Sequence, residues 1–212
     1  FAERSIVIPN GFDPKKWKPD SDAREKLRHE LSIPARARVL GYVGRFHPIK
    51  DVPNFLSALM DVQKKDRTVH CAVVGQGIDP RNSSLSAYCS ELDIDRVHFL
   101  GQRSDIHTIM PGFDLLCLSS KGEGFPNVIG EAMLCGVPCI STDVGDAARI
   151  IDSTGRIVPP AASDALSAAI SDMLALSPAE LAEASINARE QVVANFSLDT
   201  VTDQYRRLYK AF

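Results

Sequence analysis

The chain has 212 residues, 44% of them hydrophobic and 24% charged, a globular composition with room for one large domain. A net charge of −3 and a pI near 6.0 give no bulk attraction to nucleic acid or to an anionic membrane. No apolar run approaches the ~20 residues of a membrane span, and the opening FAERSIVIPNGFD lacks the basic flank and long apolar centre of a signal peptide.

In chain order, ARVLGYVG (37–44) predicts a strand, and a helix follows from about 52 to 65. VHCAVVG (69–75) is the second strand, with a helix near 83–91. VHFLG (97–101) is the third, followed by a short helix at 105–110. DLLCLSS (114–120) is the fourth, and a helix runs over 127–135 with Asn127 as its expected N-cap. PCIST (138–142) and GRIVP (155–159) are the fifth and sixth, separated by a short helix at 147–151. Three helices close the chain, near 162–176, 178–195 and 198–210. Strands alternating with helices predict βαβ units. The runs CAVV and LLCL are apolar throughout, as strands covered on both faces are. The fold class expected is therefore a three-layer α/β/α domain, Rossmann-like, on a six-stranded, mostly parallel sheet.

Five cysteines without CxxC spacing read as reduced, buried thiols. The five histidines form no metal-type cluster, and His70 and His98, at strand starts, read as structural. No metal site is implied.

Polar residues and glycines gather after each strand: Gly44-Arg45, Gly75-Gln76-Gly77, Gly101-Gln102-Arg103, the run 119–123, and Thr142 to Gly145. In an open α/β sheet that carboxyl edge is where ligands bind. Arg45 and Lys50 lie between the first strand and the next helix, a planar fork and a point charge suited to phosphate oxygens. Gly122, Gly124 and Pro126 shape a loop entering the 127–135 helix, whose first N–H groups would be free. Glu123 and Glu131, separated by seven residues, are the acids of this region. Glu131 sits among apolar and small residues, where a carboxylate without a partner costs several kcal/mol. Ligand hydroxyls, as on a ribose, would supply that partner, and Gly130 would leave room for close approach.

These residues resemble a known family. GRFHPIK, GQG, FLGQRSDI, LCLSSKGEGFPNVIGEAMLCGVPCISTDVGD and GRIVPP occur in the order of family 4 glycosyltransferases (glycosyl transferases group 1). The likeness covers nearly the whole chain and is to the C-terminal, nucleotide-sugar-binding half of a GT-B fold. It implies a single donor-binding domain over 1–212, with an interdomain connector at 1–20 and a terminal crossover helix at 196–212. It also implies that the N-terminal acceptor domain is absent, that the chain alone transfers little sugar, and that any contact with the inner membrane surface would come through that missing half of a cytoplasmic enzyme. The implied activity is transfer of a sugar, with retention and without metal, from a nucleotide diphosphate sugar, UDP- or GDP-linked, and no other cofactor. Carried over by position, Arg45, Lys50 and Glu123 become catalytic. Gly44, Gln102, Arg103, Gly124, Phe125, Pro126, Asn127, Val128 and Glu131 become donor-binding. Glu131 would take the ribose, Glu123 the sugar, and Gln102 and Arg103 would flank the base. Two positions depart from the family pattern: Asp51 stands where Gly is common, and Gln76 where an acid is. Asp51 could cap the following helix.

Other readings have less support. GQGIDP lacks the third glycine of the dinucleotide fingerprint and follows the second strand. No GxxxxGK[ST] and no G-x-S-x-G occurs. The DID at 93–95 precedes a strand rather than following one, which suits a solvated turn. A non-enzymatic nucleotide-sugar-binding module, or another Rossmann nucleotide-binding domain, is the alternative to the transferase.

Overall fold

The alternation of strand faces decides the layering. In β1 (Arg38–Val43) Val39 points to one core and Leu40 to the other. β4 (Leu115–Leu118) repeats this, with Leu116 and Leu118 on one side and Leu115 and Cys117 on the other. A strand apolar on both faces must be covered on both. A computed structural model, describing residues 6–210, shows that covering. β2 (Val69–Val74), β3 (Val97–Phe99), β5 (Cys139–Thr142) and β6 (Arg156–Val158) complete one sheet, in the order β3-β2-β1-β4-β5-β6. Every pairing in it is parallel.

One face carries α2 (Val52–Lys65), α3 (Ser83–Glu91) and α7 (Ser163–Leu174). The other carries α1 (Ala23–Glu30), α4 (Ile106–Ile109), α5 (Asn127–Leu134), α6 (Ala147–Ile151) and α8 (Pro178–Phe196). α9 (Leu198–Lys210) follows at the end. Ser177 and Glu180 form a reciprocal capping box at the start of α8. Gly136, with φ +75°, ends α5, and Pro138 follows two residues later. The helix expected at 105–110 stops at Ile109 and continues as a 3-10 turn over Met110–Gly112, where Pro111 lacks the N–H an α-helix needs.

The sequence reading passed over α1. Arg28, on its buried side, is 2% exposed. Its guanidinium donates to the carbonyls of Ala37 (2.9 Å) and Gly112 (2.9 Å) and to Asp114 Oδ2 (2.6 Å). Asp114 Oδ2 also accepts from Val39 N at 2.7 Å, so the pair pins the starts of β1 and β4 together. Burial lowers the Arg28 pKa, and the adjacent Asp114 opposes that. A buried pair of this kind fixes an arrangement rather than adding much stability, yet removing one partner costs about 3–5 kcal/mol.

Phe12 N donates to Phe196 O and Leu198 N to Phe12 O, each at 2.8 Å, so the segment expected as a connector threads between α8 and α9. Residues 1–5 of that connector and 211–212 of the terminal helix lie outside the described residues. All five cysteines are free thiols and four are buried; burial pushes Cys135 up to about 12 and leaves it unreactive. No helix among the described residues is long and apolar enough to cross a membrane.

His70 and His98 do more than start strands. Their rings stack, with His70 Nδ1 3.1 Å from His98 Nε2. Burial lowers both pKa values, and His98 adds to the lowering at His70. A depressed folded pKa contributes stability above the unfolded value near 6.5 and loses it as pH falls through the folded values. Urea unfolding at pH 7.5 and pH 5 should therefore show a fall in midpoint that shrinks in the His70→Asn/His98→Asn double variant. An equal fall in both proteins would contradict the pairing.

Candidate functional site

β1 and β4 are neighbours, yet the chain leaves β1 toward β2 on one side and leaves β4 toward β5 on the other. The sheet's strand order thus reverses between them, and the two exit loops part to open a crevice at their carboxyl ends. The loops that carry the expected site residues, 44–51 and 119–127, are these two.

The loops are tied across the gap. Lys121 N donates to Ile49 O at 2.7 Å. Ser119 Oγ lies 2.9 Å from the Lys50 carbonyl and 3.1 Å from that of Asp51. Tyr42 Oη adds a longer bond, 3.3 Å, to the same Lys50 carbonyl. Thr142 Oγ1 donates to Ser120 O at 2.6 Å, which extends the seam to β5. Behind it, Asp146 N donates to Gly124 O at 2.9 Å, and Gly145 (φ +51°) packs so closely on the Glu123 and Gly124 carbonyls that no Cβ fits.

On this seam Lys50 Nζ meets Glu123 Oε1 at 2.5 Å, with side chains 18% and 14% exposed. Ser120 Oγ donates to the same oxygen at 2.6 Å. Glu123 Oε2 has no protein partner among the described residues. Arg45 stands on the same loop as Lys50, exposed, and makes no ion pair among the described residues. The amides of Gly124, Phe125, Asn127 and Val128 likewise donate to no protein acceptor among the described residues. Lys50, one open carboxylate oxygen and a turn of unpaired N–H groups therefore share one shelf, and Arg45 is on the loop that carries Lys50.

Asp51 explains its own departure from glycine. Its φ of +46° and ψ of 50° are left-handed, a conformation glycine takes freely and Asp at some cost. It caps no helix N–H. Its carboxylate instead meets Lys121 Nζ at 3.1 Å, a second tie between the loops.

Two further expectations are corrected. Asn127 is no N-cap: the capping position is Pro126, and Asn127 Oδ1 accepts from Asn10 Nδ2 at 3.0 Å. Proline has no side-chain acceptor to offer, which leaves the first-turn amides open. Gly130 makes room not for a ligand but for Phe12, whose ring occupies the place a Cβ would take. Phe12 stacks on Phe125, which packs in turn on Phe196, so the Phe125 side chain belongs to the core and only its backbone faces the shelf.

Glu131, in the second turn of α5, is half-buried, and its carboxylate has no hydrogen-bond or ion-pair partner among the described residues. Burial raises its pKa, and Lys16 opposes the shift. Gly44 sits where β1 ends, its N–H given to Val74 O at 2.9 Å. Gln102 is exposed beyond β3. Arg103 is bound on both sides: its guanidinium donates to both oxygens of Asp105, at 2.8 and 2.6 Å, and pairs with Glu30 of α1. The Arg103 contact holds the Asp105 carboxyl down at about 2. The reading of the sequence missed Asn10 and Lys16, and placed Ser120 and Lys121 at the ligand edge without their partners Glu123 and Asp51; the PNG that precedes Phe12 carried a turn signal for Asn10.

The profile of the glycosyl transferases group 1 family matches residues 37–175. The chain belongs to this family. Its similarities include the D-inositol 3-phosphate glycosyltransferase of Corynebacterium jeikeium, 32% identical over 69% of this chain and 37% of that one. HepE of Anabaena, solved in complex with UDP, is 29% identical with a TM-score of 0.89, covering 100% of this chain and 59% of that one. The C-terminal domain of a group 1 glycosyl transferase from Francisella tularensis shares the fold at 23% identity, with a TM-score of 0.76 over 89% of this chain and 100% of that one. The chain spans about half or less of the first curated relatives it matches, from 36% to 48% of their lengths. The architecture is the Rossmann-like C-terminal domain of a group 1 glycosyltransferase with GT-B neighbours, as the resemblance implied.

The unpaired Glu131 carries a testable cost. A carboxyl whose folded pKa is raised contributes stability below the unfolded value, near 4.3, and loses it as pH rises through the folded value. Glu131→Gln should therefore raise the thermal midpoint at pH 7.5 by about 2–4 °C, and the gain should fade toward pH 4. A lower midpoint at pH 7.5 would mean that the carboxylate has a partner after all.

Proposed function

We propose that this shelf holds the diphosphate of a nucleotide sugar, UDP-linked, and that the domain serves a retaining glycosyltransferase. The observation that carries the reading is the meeting of Lys50, Glu123 and the open 124–128 turn at the switch point, with Arg45, on the loop of Lys50, unpaired among the described residues. A pyrophosphate would lie against Lys50, Arg45 and the amides of the turn, combining point charge, planar fork and helix start. Glu131, without a partner among the described residues, would accept from the two ribose hydroxyls. Glu123 Oε2 would accept from a hydroxyl of the sugar while Oε1 stays fixed by Lys50 and Ser120.

In the transfer the bond between the anomeric carbon and the terminal phosphate oxygen breaks, and a bond from that carbon to the acceptor oxygen forms on the same face. Negative charge grows on the departing nucleoside diphosphate, which takes up the acceptor's proton. Lys50, Arg45 and the fixed amide dipoles stand where that charge develops, and preorganised groups of this kind need no rearrangement to stabilise it. The domain would bind nucleotide by itself, whereas turnover would need an acceptor-binding half, for which the greater length of the relatives leaves room. The UDP complex of HepE supports uracil as the base.

A thermal-shift panel of UDP-, GDP- and ADP-glucose tests this, because a ligand that binds only the folded state raises the midpoint. UDP-glucose should give the largest shift. Lys50→Ala and Arg45→Ala should each weaken its binding about tenfold or more, as loss of a charge-assisted hydrogen bond does. No shift with any of the three, or unchanged affinity in both variants, would contradict the reading.

A further inference from the structure

The strands that end at the shelf begin at a second feature. A cavity of about 580 Å³ opens at the amino edge of β1 and β4, between the turn before β1 and the side of α8. Its charged lining is Arg24, Arg36 and Arg38 around the floor carboxylate of Asp114, and its apolar wall includes Pro111, Phe113 and Leu181.

The charges there do not balance. Asp114, with a side chain 2% exposed, pairs with Arg28 at 2.6 Å, Arg38 at 3.4 Å and Arg24. Arg36 lines the same space and meets no carboxylate among the described residues. Three guanidiniums and Val39 N thus saturate one carboxylate, and Arg36 adds a fourth positive charge beside them. Glu180, in the first turn of α8, spends its carboxylate on its own capping box, accepting from Ser177 N at 2.8 Å. Like charges gathered in a partly buried space favour a bound counter-ion, since the low-dielectric walls weaken screening. Arg is also the side chain whose fork fits a phosphate bidentately.

The structure assigns to this cavity the binding of a small organic phosphate, a phosphomonoester whose apolar body rests on Phe113 and Leu181. Inorganic phosphate would fill only part of the volume, and the apolar wall would go unused. This site is independent of the donor shelf and lies at the other end of the same strand pair.

Titration with phenyl phosphate, followed by thermal shift, separates the two sites. Phenyl phosphate should stabilise the wild-type chain and bind more tightly than inorganic phosphate. That shift should persist in Lys50→Ala, which disables the shelf. It should weaken tenfold or more in Arg36→Glu, a substitution at an exposed side chain with no ion-pair partner to lose. Arg38→Gln should weaken it too, but Arg38 also donates to Leu176 O, so Arg36→Glu is the decisive variant. Absence of any shift in the wild type, an undiminished shift in Arg36→Glu, or loss of the shift in Lys50→Ala would each overturn the assignment.

Discussion

Two exit loops that would otherwise splay apart are held edge to edge by hydrogen bonds to backbone carbonyls across the switch point, and the rest of the candidate site hangs on that seam. Parallel neighbours β1 and β4 send their chains to opposite sides of the sheet. Their loops therefore leave carbonyls and N–H groups with no strand to pair with. The Ile49, Lys50 and Asp51 carbonyls find partners in Lys121 N and Ser119 Oγ. Once those are satisfied, Lys50 and Glu123 are fixed side by side and the 124–128 turn is held beneath Gly145. The strand pair is set from its far end as well, where Asp114 and Arg28 anchor the first residues of both strands.

Local rules are broken on this shelf in several places at once. Asp51 holds a left-handed backbone, α5 begins without a side-chain cap, and Glu131 is half-buried without a partner among the described residues. Left-handed non-glycine backbone also occurs at Ser32, Asp93, Asp152 and Ala161, and α1, α4, α6 and α7 also begin without a side-chain cap, so the open Glu131 carboxylate is the feature that sets the shelf apart. A buried polar group that a ligand would satisfy is the expected mark of a binding site. A diphosphate would satisfy the amides and a ribose the carboxylate, so the groups that cost the free domain stability are those the nucleotide would use.

Much of this was legible in the sequence. Continuous apolar strands, alternating helices and glycine-rich turns announced the sheet, its parallel pairing and its ligand edge. The Gly-Arg…Lys segment and the two spaced glutamates pointed to the residues that the fold brings to the switch point. What could not be read was set by contacts between distant segments. α1 escaped notice because AREKLRHE is mostly charged, and its one buried arginine reports its role only through Asp114, 86 residues away. Asn127 looked like a cap because nothing local revealed Asn10 as its partner. Gly130 suggested ligand access, whereas Phe12 from the start of the chain fills the space. The strand order itself, and with it the place where the loops part, follows from tertiary pairing rather than from periodicity.

A crystal structure of the chain with UDP bears most directly on the central claim. The pyrophosphate should lie about 3 Å from Lys50 Nζ and from amides of the 124–128 turn, with the ribose on Glu131. UDP seated at another edge of the sheet, or a pyrophosphate left in solvent while Lys50 stays closed on Glu123, would contradict it.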